Sequence, residues 1–102
     1  MATLRLVWSE RASRDVNRLW DFLADKSPLA AERATRRILD AAKVVAVHPA
    51  AGTRRDLPRG VAGGYRQVVV RFVAGAYVLG YRTYTDFVLI LRVWHSRERR
   101  PR

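Results

Sequence analysis

The sequence predicts an α+β domain of order β-α-α-β-β-β, in which an antiparallel N-terminal helical hairpin packs on a twisted, mainly antiparallel four-stranded sheet. Three observations predict it. Apolar residues recur at helical spacing twice in the first half of the chain. Three strand-like segments separated by short turns fill most of the second half. One short alternating segment, Leu4 to Trp8, opens the chain.

Leu4-Arg5-Leu6-Val7-Trp8 has period two and reads as a strand. Ser9 stands where an N-cap belongs, and Glu10 follows in the first turn, where a carboxylate is favoured by the helix dipole. Ala12, Val16, Leu19, Trp20 and Leu23 then form one apolar stripe of a helix. Ser27-Pro28 is a second start signal, a cap followed by proline at the first helical position. Ala34, Ile38, Ala41, Ala42 and Val45 repeat the stripe, and His48-Pro49 ends it. A connection this short makes the two helices antiparallel neighbours, with small residues permitting close approach. Residues 50–64, dense in Gly, Pro and Arg, read as a loop. Strands follow at Tyr65–Phe72, Tyr77–Tyr84 and Phe87–Trp94, joined by turns at Ala74-Gly75 and Thr85-Asp86. The apolar run Phe87 to Leu91 suits an interior strand covered on both sides. Residues 95–102 are expected to be a basic, frayed tail.

The length allows one domain, residues 1–102, and 49% hydrophobic residues supply a core despite the charge. The absence of cysteine excludes disulfides and thiol chemistry, and two histidines far apart in sequence make a metal site improbable; no cofactor is expected. No secretory leader is visible, and the longest apolar run falls far short of the roughly 20 residues of a membrane span. A cytoplasmic protein is expected. The net charge is +11, made almost wholly of arginine. Residues 1–50 carry nine cations and six anions, whereas residues 51–102 carry eleven and three. Such an excess implies an anionic partner, either nucleic acid or an acidic protein.

The second half carries a more specific signal. An Arg-rich loop, Gly52 to Gly60, precedes Gly64-Tyr65-Arg66; Tyr77-Val78-Leu79-Gly80-Tyr81-Arg82 and Ile90-Leu91-Arg92-Val93-Trp94-His95-Ser96-Arg97 follow. In this order, and with this ending, the chain resembles the RelE/ParE toxin superfamily, and its ParE branch in particular. The resemblance implies a toxin of a type II toxin–antitoxin system that blocks DNA gyrase. It also implies a cognate ParD-like antitoxin of ribbon-helix-helix type and a toxin–antitoxin hetero-oligomer. The RelE branch would instead imply a ribosome-dependent mRNA endonuclease. A non-toxic basic nucleic-acid-binding module is the remaining alternative, motivated by charge alone.

Endonuclease chemistry needs a general base, a general acid and cations around a developing phosphorane. His95, with Arg71, Arg82, Arg92 and Tyr81, is the set available for it. No tyrosine lies beyond Tyr84 and no lysine beyond Lys43, so the acid–base requirement is poorly met and a non-catalytic toxin is favoured. Candidate target-binding residues are Arg54, Arg55, Arg59, Trp94, His95, Arg97, Arg99 and Arg100. Candidate antitoxin-binding residues are Leu19, Phe22, Arg33, Arg37, Ile38 and Val45, apolar groups bordered by arginine that a two-layer fold is expected to leave uncovered. Trp8, Trp20 and the strand tyrosines are expected in the core, and Trp94 at a partly exposed edge.

Overall fold

Both helix starts are set by the capping signals in the sequence. In the computed structural model, which describes residues 3–55, 64–72 and 75–98, Ser9 Oγ accepts from the Ala12 N–H at 3.0 Å and Ser27 Oγ from the Ala30 N–H at 3.2 Å. Helix α1 runs Glu10–Ala24 and α2 runs Pro28–Val47, with His48 as its C-cap. Strand β1 is Arg5–Trp8, β2 is Thr53–Arg54, β3 is Tyr65–Phe72, β4 is Gly75–Thr83 and β5 is Phe87–His95. The sheet order is β1-β5-β4-β3-β2, with β1 parallel to β5 and every other pair antiparallel.

The sheet therefore has five strands, one more than expected. Two-residue β2 lies within the segment read as a loop and pairs with Gln67 and Arg66 of β3. Gly52 makes this possible. Its N–H donates to Tyr81 Oη at 2.9 Å, and its carbonyl accepts from Arg66 Nη1 at 2.8 Å. A Cβ there would lie 2.6 Å from Tyr81 Oη and 2.8 Å from the Gln67 carbonyl, so only glycine can approach so closely.

Ala12, Leu19, Ala34, Ile38, Ala42 and Val45 of the hairpin meet Tyr77, Leu79, Tyr81, Val88, Ile90 and Val93 of the sheet in a single core. Burying a Val, Leu or Ile side chain stabilises by about 1.5–3 kcal/mol, so this seam dominates the fold. Strand β5 is interior as expected, but its faces differ. Val88 and Ile90 are fully buried, while Phe87, Leu89 and Leu91 are only half-buried. The register slips between Gly80 and Tyr81, which pair with Arg92 and Ile90 and leave Leu91 as an extra residue.

Three placements differ from expectation. Trp20 is 38% exposed, because it lies about 100° round α1 from buried Leu19. Trp94 is buried rather than exposed, since β5 continues through it and pairs it with Val78. The start of the supposed tail is anchored: Ser96 N–H donates to the Ala76 carbonyl at 2.8 Å, and Glu98 Oε1 accepts from the His95 N–H at 2.9 Å.

Candidate functional site

A carboxylate on the buried face of a helix needs partners, and Asp15, 5% exposed between Ala12 and Leu19, has three. Its Oδ2 accepts from Arg92 Nε at 2.8 Å and from the Val93 N–H at 2.9 Å. Its Oδ1 accepts from Arg92 Nη2 at 3.1 Å and Arg18 Nη2 at 3.3 Å. The Arg92 fork thus clamps α1 to β5 at the bulge, where the extra residue reorients the strand. Burial pushes the Asp15 carboxyl upward, but hydrogen bonds from Arg92 and Val93, with the charge of Arg92, outweigh it and hold the group below its ordinary value. Arg18 continues the chain of charges to Glu98. Burial works against the Arg18 charge, yet Glu98 and Asp15 raise its pKa.

Arg18 and Glu98, the outer end of this network, line a groove between the second half of α1 and the adjoining ends of β4 and β5, with a volume of about 690 Å³. Leu19, Phe22, Leu23 and Tyr77 supply its apolar lining, and Arg18, Lys26, Arg97 and Glu98 its charges. Phe22 is 63% exposed, with Lys26 Nζ 5.0 Å from its ring centroid. The Tyr77 ring meets His95 edge-on at 5.2 Å, and burial, then the Glu98 charge, raises the Tyr77 pKa. His95 Nδ1 accepts from the Arg97 N–H at 3.0 Å, so the proton of a neutral imidazole resides on Nε2. Gly75, at φ +140°, makes room for the His95 ring: a Cβ there would lie 2.9 Å from Nε2.

The groove joins members of two sequence-derived sets, Leu19 and Phe22 from one, His95 and Arg97 from the other. The rest separate. Ile38 and Val45 are 1% and 0% exposed, and Leu19 only 5%; these three belong to the core, and only Leu19 also reaches the groove. Apart from Trp20, the large exposed apolar side chains of the hairpin lie off the stripes: Phe22, Leu29, Leu39, Val44 and Val47. Arg33 is exposed, and Arg37 Nη1 donates to the Arg71 carbonyl at 2.7 Å, tying α2 to β3. Trp94, being buried, presents little to a target. Arg54 and Arg55 are exposed; Arg59, Arg99 and Arg100 lie outside the described residues.

The five residues suited to RNA cleavage do not converge. Tyr81 Oη donates to the Pro49 carbonyl at 2.8 Å while accepting from Gly52, so it works as a strut; burial, countered by the Gly52 hydrogen bond and Arg66, raises its pKa. Arg92 is engaged by Asp15. Arg82 pairs with Leu89, six residues from His95 along β5, which is roughly 20 Å. Arg71 is exposed on β3, opposite Ala76. Asp15 was not singled out in the sequence, although its place on an apolar stripe marks it as a charge requiring a partner.

A two-helix hairpin on a mostly antiparallel sheet is the architecture of the ParE-like toxins. A chain of the chromosomal ParDE toxin–antitoxin system from P. aeruginosa superposes with a TM-score of 0.74 over 91% of this chain and 96% of that one, at 20% identity, a likeness of fold. The model of the ParE toxin family of type II toxin–antitoxin systems, parDE, matches residues 6–100, and the chain belongs to that family. It is 42% identical over 90 residues to Toxin RelE3 of Caulobacter vibrioides, covering 88% of this chain and 91% of that protein. It is also 33% identical to Toxin RelE1 of the same organism over 98 residues, 96% and 99% of the two chains. No helix among the described residues is long and apolar enough to cross a membrane.

Proposed function

We propose that this toxin acts in the cytoplasm by binding DNA gyrase without chemistry of its own, and that a ParD-like ribbon-helix-helix antitoxin neutralises it in a hetero-oligomer. The observation that supports a non-catalytic mode is the commitment of Tyr81 and Arg92 to structural bonds, which takes two of the five candidate cleavage residues away from His95. The groove suits the antitoxin. Its apolar lining and the cations Lys26 and Arg97 match an amphipathic segment with apolar anchors and an acidic edge. The exposed arginines Arg54 and Arg55 on the β2 side, with Arg99 and Arg100 read from the sequence alone, are the residues assigned to gyrase.

The RelE names of the relatives favour a second reading, a ribosome-dependent mRNA endonuclease. Two parallel assays separate them. Purified toxin is added to gyrase with supercoiled plasmid, and to a translating extract with a defined mRNA. Inhibited supercoiling with intact mRNA supports the first reading; cut mRNA with unaffected gyrase establishes the second.

A further inference from the structure

At the opposite end of β5 from the groove, the topology builds a column of four side chains. Parallel pairing of β1 with β5 sets Arg5 beside Phe87, and the Arg5 guanidinium lies 5.8 Å from the Phe87 ring centroid. The turn after β4 closes with the Tyr84 N–H donating to the Phe87 carbonyl at 2.8 Å, and the two rings stack at 4.4 Å and 9°. Arg82, two residues before Tyr84, places its guanidinium 4.5 Å from the Tyr84 centroid. One face of each ring is taken by the other ring, so the arginines occupy the remaining faces. The order is Arg82, Tyr84, Phe87, Arg5.

A guanidinium resting on an aromatic face has its plane fixed while its edge donors stay open to an anion. Neither Arg5 nor Arg82 forms an ion pair among the described residues, and exposed Asp86 in the same turn pairs with neither. We propose that Arg5 and Arg82, held on the Tyr84–Phe87 stack, form a binding site for the phosphate backbone of duplex DNA. Two features select that ligand. The ring faces are already covered, so the base stacking that anchors single strands is not available. Two guanidinium forks at opposite ends of one stack suit a polyanion that offers more than one phosphate, and a net charge of +11 draws such a polyanion in. The contact is sequence-independent and separate from gyrase binding, because it needs only toxin and DNA.

The test is fluorescence anisotropy of the full-length protein with a labelled mixed-sequence DNA duplex over a salt series, without gyrase. Arg5→Gln with Arg82→Gln is expected to weaken binding at least about tenfold at 0.1 M salt and to reduce the slope of log K against log salt by about 1.8, two phosphate contacts. A control with the same charge loss, Arg33→Gln with Lys43→Gln on the outer face of α2, is expected to weaken binding less than about threefold. Arg5→Lys with Arg82→Lys keeps both charges; it should restore the salt slope but not the full affinity, which also shows that the site tolerates substitution. Equal losses in the Gln pair and the control would reduce the effect to net charge and overturn the proposal. So would unchanged DNA binding by the Gln pair, including the case in which it instead loses antitoxin binding, or full affinity in the Lys pair.

Discussion

Replacing Asp15 by Asn removes one charge from the centre of the α1–β5 clamp while keeping an oxygen to accept the Val93 N–H. Arg92, whose side chain is 21% exposed, then loses its carboxylate. Breaking a buried pair from one side costs about 3–5 kcal/mol, and the partial exposure of Arg92 and the larger exposure of Arg18 reduce this to about 2 kcal/mol. For a domain of this size that lowers Tm by roughly 10 °C. Asp15→Ala also abandons the Val93 N–H and should cost about 1 kcal/mol more. The pH dependence follows from the direction of the Asp15 shift. Its carboxyl is held below the ordinary value of 3.8, so its stabilising contribution is complete above that value and is lost as pH falls through the folded-state pKa. Urea unfolding of wild type and Asp15→Asn at pH 7 and near pH 3 measures both. The gap is expected at neutral pH and to shrink in acid. A variant within about 0.5 kcal/mol of wild type at pH 7, or a gap that survives acid undiminished, would refute the clamp.

Phe22→Ser removes an exposed groove side chain, so it should leave Tm within about 2 °C of wild type while weakening antitoxin binding at least about tenfold by calorimetry. Gly52→Ala drives a Cβ into Tyr81 Oη and should cost about 1–3 kcal/mol in thermal unfolding. His95→Ala should keep full growth arrest on expression, with a loss of about 1 kcal/mol in stability from the Tyr77 edge contact. Loss of toxicity with an intact fold would return His95 to the catalytic or the target-binding set.

The parts of this fold written in local chemistry were legible. Ser9, Ser27-Pro28 and His48-Pro49 mark helix ends within a few residues, and the period-two segments gave β1, β3, β4 and β5. Strand β2 was not legible, because two residues carry no period and its pairing depends on Gly52 meeting Tyr81, 29 positions away. The Asp15 clamp was hidden for the same reason, its partner Arg92 lying 77 residues on. The antitoxin set shows a different failure. Leu19, Ile38 and Val45 lie on the apolar stripes, and their side of each stripe is what the sheet buries. The informative residues were the apolar ones off the stripe. Phe22 breaks the pattern of α1, and it is the side chain that stands open beside the groove. Trp94 was placed by its neighbours in sequence, the basic tail, when its strand register puts it inside the sheet.

Stoichiometric binding in place of turnover is tested most directly by a titration of gyrase. Toxin is added to a fixed amount of gyrase on supercoiled plasmid, and the linear DNA released on denaturation is quantified. Supercoiling is expected to stop and trapped cleavage to rise to a plateau set by the amount of gyrase, unchanged in His95→Ala. Gyrase untouched at many-fold excess of toxin, with mRNA cut in a translating extract at far less than one toxin per ribosome, would contradict stoichiometric binding.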